Sequence, residues 1–307
     1  MPTRNEIQQE ILNAKTAAQD EVRRKYIREL SEYTHRDTII YITAYATNKM
    51  VHLPSQAVSV VVDDVQSFMS TLKGLKNDKL DIIIHSPGGS VEAAEQIVNY
   101  LRSKYSHIRA IIPHSAMSAA TMIACACDEI IMGKHSAIGP IDPQITFPTP
   151  TGYFTAPAQS LLSEFEQAKR EVIANPNVAP IWISKLRNLP HGILDICRNT
   201  TQLSIDKVTL WLQSYMFKDD KNGAQKAADI AEWLGTASNH LTHGRPIPFN
   251  MAKSKGLRIV ELENNQDLQE KVLSVFHSSI VTIDVTNCVK IIENQNGIGS
   301  YSQLNMK

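Results

Sequence analysis

The chain has 307 residues, 43% of them apolar, and its 31 Lys and Arg balance 31 Asp and Glu. That length supports one large buried core or two smaller ones, and a net charge of zero leaves no overall field to draw in nucleic acid or an anionic membrane surface. The four cysteines, Cys125, Cys127, Cys197 and Cys288, show no metal-ligand spacing and read as reduced packing residues of a cytoplasmic protein. The N-terminus is charged from Arg4 onward and lacks an apolar signal core. Arg109, Pro113, His114, Asp128 and Glu129 interrupt the longest apolar stretch, 108–132, so no membrane span is expected.

Residues 5–34 carry Ile7, Ile11, Ala18, Val22, Tyr26 and Leu30 at helical spacing among interleaved charges, which predicts an amphipathic helix packed on the body or on a neighbouring subunit. A core strand follows from Thr38 to Tyr45. Asp63 and Asp64 open a helix, favourably for its dipole, and lead to a strand over Asp81–Ile84. Two β–α units come next: that strand with a helix through Val91, Ile97 and Leu101, then a strand over Arg109–Ile112 with a helix from Met117 to Ala126. A short strand, 128–133, precedes a rigid loop with Gly139, Pro140 and Pro143, and residues 145–157 are expected to form a mobile loop over the site. Helical patterns cover 158–174, 180–189, a segment through Cys197, 205–217 and 224–234. A strand at 257–262, a helix at 267–277, β-rich residues at 279–292 and a frayed tail complete the chain. The organisation expected is an N-terminal helix (1–36), an α/β catalytic core (37–175) and a mainly helical C-terminal region with terminal strands (176–307).

Chemistry concentrates in two turns. His85-Ser86-Pro87-Gly88-Gly89-Ser90 follows one strand, and Ser115-Ala116-Met117-Ser118-Ala119-Ala120-Thr121 follows the next, so parallel pairing puts Gly88, Gly89 and Ser118 at one sheet edge, where α/β proteins bind ligands. Acyl transfer needs a nucleophile, a base and donors aimed at the developing oxyanion. Ser118 supplies the first, and the backbone N–H groups of Gly88 or Gly89 and of Ala119 supply the donors. The competing reading is that Ser118 only caps its helix.

Ser86-Pro87-Gly88-Gly89, and Ser118 followed ten residues later by Asp128-Glu129-Ile130, resemble the motifs of the ClpP/crotonase superfamily and especially of signal peptide peptidase A. Ala116 to Thr121, Gly139-Pro140-Ile141-Asp142-Pro143-Gln144 and Thr242-His243-Gly244-Arg245-Pro246-Ile247 narrow the resemblance to the serine dehydrogenase proteinase family, over roughly residues 37–275. The resemblance implies a ClpP/crotonase-like fold of repeated ββα units and a homo-oligomer. It also implies an ATP-independent serine endopeptidase acting on polypeptides without a metal or other cofactor.

The base is the open point. The Clp proteolytic subunit uses a Ser-His-Asp triad whose histidine would fall near Ile141 or Asp142, where no histidine stands; His135 is the nearest and precedes the loop. Signal peptide peptidase A uses a lysine on a later helix, and by that resemblance Lys169, 51 residues after Ser118, takes the role, with Lys185 and then Lys134 as runners-up. A lysine base requires burial or positive neighbours, and Phe165 on the same helix face as Lys169 suggests partial burial; the plainer reading is a surface pair with Glu166. In the peptidase the dyad can be completed across subunits. His240 and His243, three apart, have no partner at zinc-site spacing, so His243 and Arg245 are read as structural or substrate-contacting. Asp142 is expected to order its loop or orient a basic partner, and His85 and His114 to pack loops. Two other functions compete: an acyl-coenzyme A enzyme of crotonase type, which would need an acidic base, and a non-catalytic oligomeric scaffold.

Overall fold

The computed structural model describes residues 6–7, 18–149 and 152–304. Of the expected N-terminal helix, α1 (Ala18–Thr34) is described, while residues 8–17 lie outside the described residues. The chain continues through β1 (Asp37–Thr43), α2 (Asp63–Thr71), β2 (Lys79–His85), α3 (Val91–Arg102), β3 (His107–Ile112), the short β4 (Ser115–Ala116), α4 (Ala119–Cys125) and β5 (Glu129–Met132). Then come β6 (Ala137–Ile138), β7 (Gln144–Thr149), β8 (Gly152–Pro157), α5 (Ala158–Ala174), α6 (Ala179–Leu186), α7 (Ile193–Trp211) and α8 (Gly223–Gly235). The last elements are α9 (Ala237–His240), β9 (Ile247–Pro248), α10 (Phe249–Ser254), β10 (Ile259–Glu261), α11 (Gln266–Val285), β11 (Cys288–Asn294) and β12 (Gly299–Gln303).

Seven strands form the main sheet in the order β10-β5-β3-β2-β1-β11-β12, with the run from β10 to β1 parallel and β11 and β12 antiparallel. The central strands are apolar on both faces because both are covered. Ile39, Tyr41, Ile82, Ile84, Ala110 and Ile112 point into one core with α2, α3 and α4. The alternate residues Ile40, Ile42, Ile83 and Ile111 point into a second core with α1 and α11. Strand period 2 thus divides a single isoleucine-rich run between two layers. The parallel strands all end at the same edge, which is where the two glycine- and serine-bearing turns emerge.

Three expectations are corrected. In the stretch expected to be a mobile loop, residues 144–149 and 152–157 are paired antiparallel as β7 and β8: Phe147 stacks edge-on against Phe154 with ring centres 5.8 Å apart, and Phe147 sits in a small core with Leu161, Ile193 and Cys197. Residues 279–285 are helical despite their β-branched run. Ser278, Ser279 and Thr282 return their hydroxyls to the carbonyls four residues back at 2.8, 2.7 and 2.9 Å, so burial of the α11 face overrides local β propensity. Within the expected frayed tail, Gly299–Gln303 form β12, where Tyr301 bonds Glu293 and accepts from Arg24 at 2.9 Å, and residues 305–307 lie outside the described residues. All four cysteines are buried and unpaired, and burial pushes the Cys127 thiol up to about 12.

Candidate active site

The Ser86–Ser90 turn is dictated by what lies against it. A Cβ on Gly88 (φ +90°) would stand 2.4 Å from the Met117 carbonyl oxygen and 2.7 Å from both the Ala119 nitrogen and the Ser118 Cβ. A Cβ on Gly89 (φ +155°) would stand 2.3 Å from the Val60 carbonyl oxygen. Only glycine lets the turn touch the serine segment on one side and the 59–61 segment on the other. Backbone bonds lock all three: Ser86 N–H to Ser115 O at 3.1 Å, Met117 N–H to Ser86 O at 3.0 Å, Val60 N–H to Gly88 O at 2.7 Å and Ser90 N–H to Val60 O at 2.9 Å. Ser90 then caps α3 by accepting from Ala93 N–H at 3.0 Å.

Ser118 has φ +50° and ψ −122°, a conformation an L-residue holds only under constraint, at a cost of about 1–3 kcal/mol. Its side chain makes no cap bond to α4, so the capping reading falls away, and the half-buried residue lines the cavity. Thr121 braces the elbow by donating to Ala116 O at 2.7 Å and accepting from Gly139 N–H at 2.9 Å. Gly88 N–H is committed to Ser86 Oγ at 3.2 Å, which leaves Gly89 and Ala119 as the better-placed donors of the expected set.

A cavity of about 540 Å³ opens over this edge, and Gly88, Gly89, Ser118 and His243 all line it. Met122, Ile141, Ile145 and Leu203 give it an apolar wall. His243 arrives from 101 residues beyond Asp142, and its Nδ1 lies 2.8 Å from Asp142 Oδ1. Asp142 is 2% exposed, and its other oxygen accepts from Gln144 Nε2 at 2.8 Å. Because a carboxylate only accepts, Nδ1 carries the proton, and the lone pair of a neutral ring is on Nε2, the nitrogen a general base uses. The place near Ile141 and Asp142 where the sequence has no histidine is therefore occupied by a histidine from a distant loop. The sequence singles out both residues but not their pairing; the available signal is that two loops rich in Gly and Pro each carry a titratable side chain, an acid in one and a histidine in the other.

The lysines are elsewhere. Lys169 lines a different groove, its side chain 60% exposed and its ammonium 3.8 Å from Glu166. Lys185 pairs with Glu164 over the Trp182 ring, and Lys134 lies 3.1 Å from Glu261. His135 turns to Pro113 O at 2.9 Å. His240 is buried against Trp233 and donates from Nε2 to that residue's carbonyl oxygen at 2.8 Å, so it does not converge with His243 on a metal; exposed Arg245 donates to His240 O at 3.4 Å. His85 packs between Tyr45 and His114, and burial drives its pKa down to about 4, so it is neutral near pH 7. Asp128 bonds Arg102 at 2.8 Å and Ile108 N–H at 2.8 Å, well below the cavity edge.

Among the described residues no helix is long and apolar enough to cross a membrane. Two uncharacterized proteins of Methanocaldococcus jannaschii are relatives. MJ0137 is 29% identical over 243 residues, 77% of this chain and 73% of its own length. MJ1495 is 30% identical over 203 residues, 65% of this chain and 59% of its own length. Among solved structures, a mutant of the 1510-N membrane-bound stomatin-specific protease in complex with a substrate peptide matches at 16% identity and TM-score 0.41, covering 81% of this chain and 84% of that one. A ClpP1 mutant from Listeria monocytogenes matches at 15% identity and TM-score 0.31, covering 70% and 96%. The sequence family, not these distant likenesses, carries the assignment. The covered parallel sheet, with a glycine turn and a serine elbow at one edge, is a ClpP/crotonase-like fold, and the match of residues 11–279 to the ClpP-like SDH-type serine proteinase family shows that the chain belongs to that family.

Proposed function

We propose that the chain is an ATP-independent endopeptidase in which Ser118 attacks the peptide carbonyl. His243 takes the Ser118 proton and returns it to the leaving amine. Asp142 holds the ring tautomer, and the Gly89 and Ala119 N–H groups receive the oxyanion beside Gly88. An acyl-enzyme forms, and water activated by His243 resolves it. The observation that carries this reading is the shared cavity, where the serine elbow, the glycine turn and a carboxylate-bonded histidine meet. A polar groove lined by Ser163, Gln167 and Thr242 also meets the cavity at His243, and would give a bound polypeptide a path away from the site. The substrates proposed are polypeptides, the location the cytoplasm, and the state a homo-oligomer.

A second reading keeps Lys169 as a base acting across a subunit boundary. It is favoured by the exposed Ile173 and Ile183 around Lys169, an apolar face that a second copy would bury. Labelling with a fluorophosphonate probe, followed by peptide mapping, tests the nucleophile: the adduct is expected on Ser118 and absent in Ser118→Ala. A folded wild-type protein with no adduct on Ser118 would sink the proposal. Mixing Ser118→Ala with Lys169→Ala subunits decides the second reading, since only a base acting across subunits lets the mixture regain labelling that each variant lacks.

A further inference from the structure

Behind the glycine turn lies a buried polar network that the proposed reaction does not use. Lys290, on β11, is 2% exposed, Tyr41, on β1, 2%, and Asp64, in the first turn of α2, 3%. The Lys290 ammonium donates to Asp64 Oδ1 at 2.9 Å and to the Ser59 carbonyl at 2.6 Å. Asp64 Oδ2 accepts from the Tyr41 hydroxyl at 2.7 Å and from Val61 N–H at 3.0 Å. The Tyr41 hydroxyl also lies 3.5 Å from the Ser59 carbonyl oxygen, and at the head of the turn Ser86 Oγ accepts from Gly88 N–H at 3.2 Å.

The pattern of these bonds is directional. The ion pair grips the Ser59–Val61 tripeptide at both ends, by the carbonyl of Ser59 and the N–H of Val61. The middle residue, Val60, in turn bonds the residues on either side of Gly89, with its N–H to Gly88 O at 2.7 Å and its carbonyl to Ser90 N–H at 2.9 Å. Gly89 has no side chain of its own to fix its peptide plane. A buried ion pair is costly to desolvate and weak evidence of stability, so its placement calls for another account. We infer that Lys290, Asp64 and Tyr41 are positioning residues that aim the Gly89 N–H at the oxyanion through the 59–61 segment.

This inference rests on the proposed role of Ser118, and the test separates the two. In the full chain, Tyr41→Phe removes one hydroxyl, and Asp64→Asn removes the charge at nearly constant shape. The probes are a fluorophosphonate, an acetylated trileucine aldehyde whose adduct carries an oxyanion, and the matching trileucine amide, which forms none. Each variant is expected to lose about tenfold in labelling rate and in aldehyde affinity, while amide affinity stays within about twofold. Equal losses for aldehyde and amide, or no loss for either, overturn the inference, because a merely structural role would not single out the oxyanion. Wild-type labelling of Ser118 that persists at full rate in both variants removes the positioning role and leaves the nucleophile standing; wild type that does not label at Ser118 removes both.

Discussion

The cavity at Ser118 and the groove at Lys169 are close in volume, about 540 and about 600 Å³, and opposite in construction. The first is assembled from segments as far apart as Ser59 and His243, and its polar groups are locked by buried partners. The second is local, framed by α5 and α6, with Ile173, Ile183 and Lys169 open to solvent. Spacing along a helix brings residues onto one face, and it brought Phe165 and Lys169 together as expected; it says nothing about what that face meets. A functional group needs its environment fixed from several directions, and only the first cavity supplies that within one chain.

The sharpest way to break the comparison is to remove one polar side chain from each place. His243→Ala is expected to lower kcat for peptide cleavage by about 10³-fold with KM little changed. Lys169→Ala is expected to stay within about twofold, as suits an exposed ion pair. Steady-state kinetics on a fluorogenic peptide would reverse the assignment if the two effects were exchanged.

A second measurement probes the buried end of β2, just before the glycine turn, where the His85 ring packs against Tyr45, His114 and Phe276. The pKa of His85 falls from its ordinary 6.5 to about 4 because burial disfavours the imidazolium. Between those values the unfolded chain binds the proton and the folded chain does not, so this contribution to stability is complete above about pH 6.5 and is lost as pH falls toward 4. The gap is worth about 3 kcal/mol. Urea unfolding at pH 7 and pH 4.5 should therefore show a smaller loss in His85→Asn than in wild type; equal losses would remove His85 as the cause.

The smallest effect sharpens the contrast in local rigidity. Thr121→Val deletes the two hydroxyl bonds that brace the serine elbow and leaves the Gly139 N–H only its longer bond to Ala116 O at 3.2 Å, at a cost of about 2 kcal/mol. Thermal unfolding should fall accordingly, while Glu166→Ala beside Lys169 should change stability by less than about 0.5 kcal/mol. A Thr121→Val protein as stable as wild type would show that the elbow is held by packing alone.

Much of the fold was legible because its signals are local. The strand runs at Ile82–Ile84 and Ile111–Ile112, the Ser-Pro-Gly-Gly turn and the small residues after Ser118 announce a parallel sheet edge. The errors have a common origin. Residues 145–157 look irregular because prolines interrupt the alternation, yet cross-strand pairing supplies the order, with Thr146 and Thr155 joined at 2.8 Å. Residues 279–285 look like a strand because their β-branched side chains carry a preference that burial in α11 outweighs.

By itself, then, the sequence determined the two β–α turns and the candidacy of Ser118, since each follows from neighbours within a few positions, whereas the requirement for glycine at 88 and 89 comes from contact with the distant 117–119 segment and Val60. The tertiary structure alone decided that a histidine bonded to Asp142 lines the same cavity as the serine. His243 and Asp142 are 101 residues apart and meet only when the loop after α9 folds back over the 139–144 loop, a contact fixed by long-range packing and invisible to any local period.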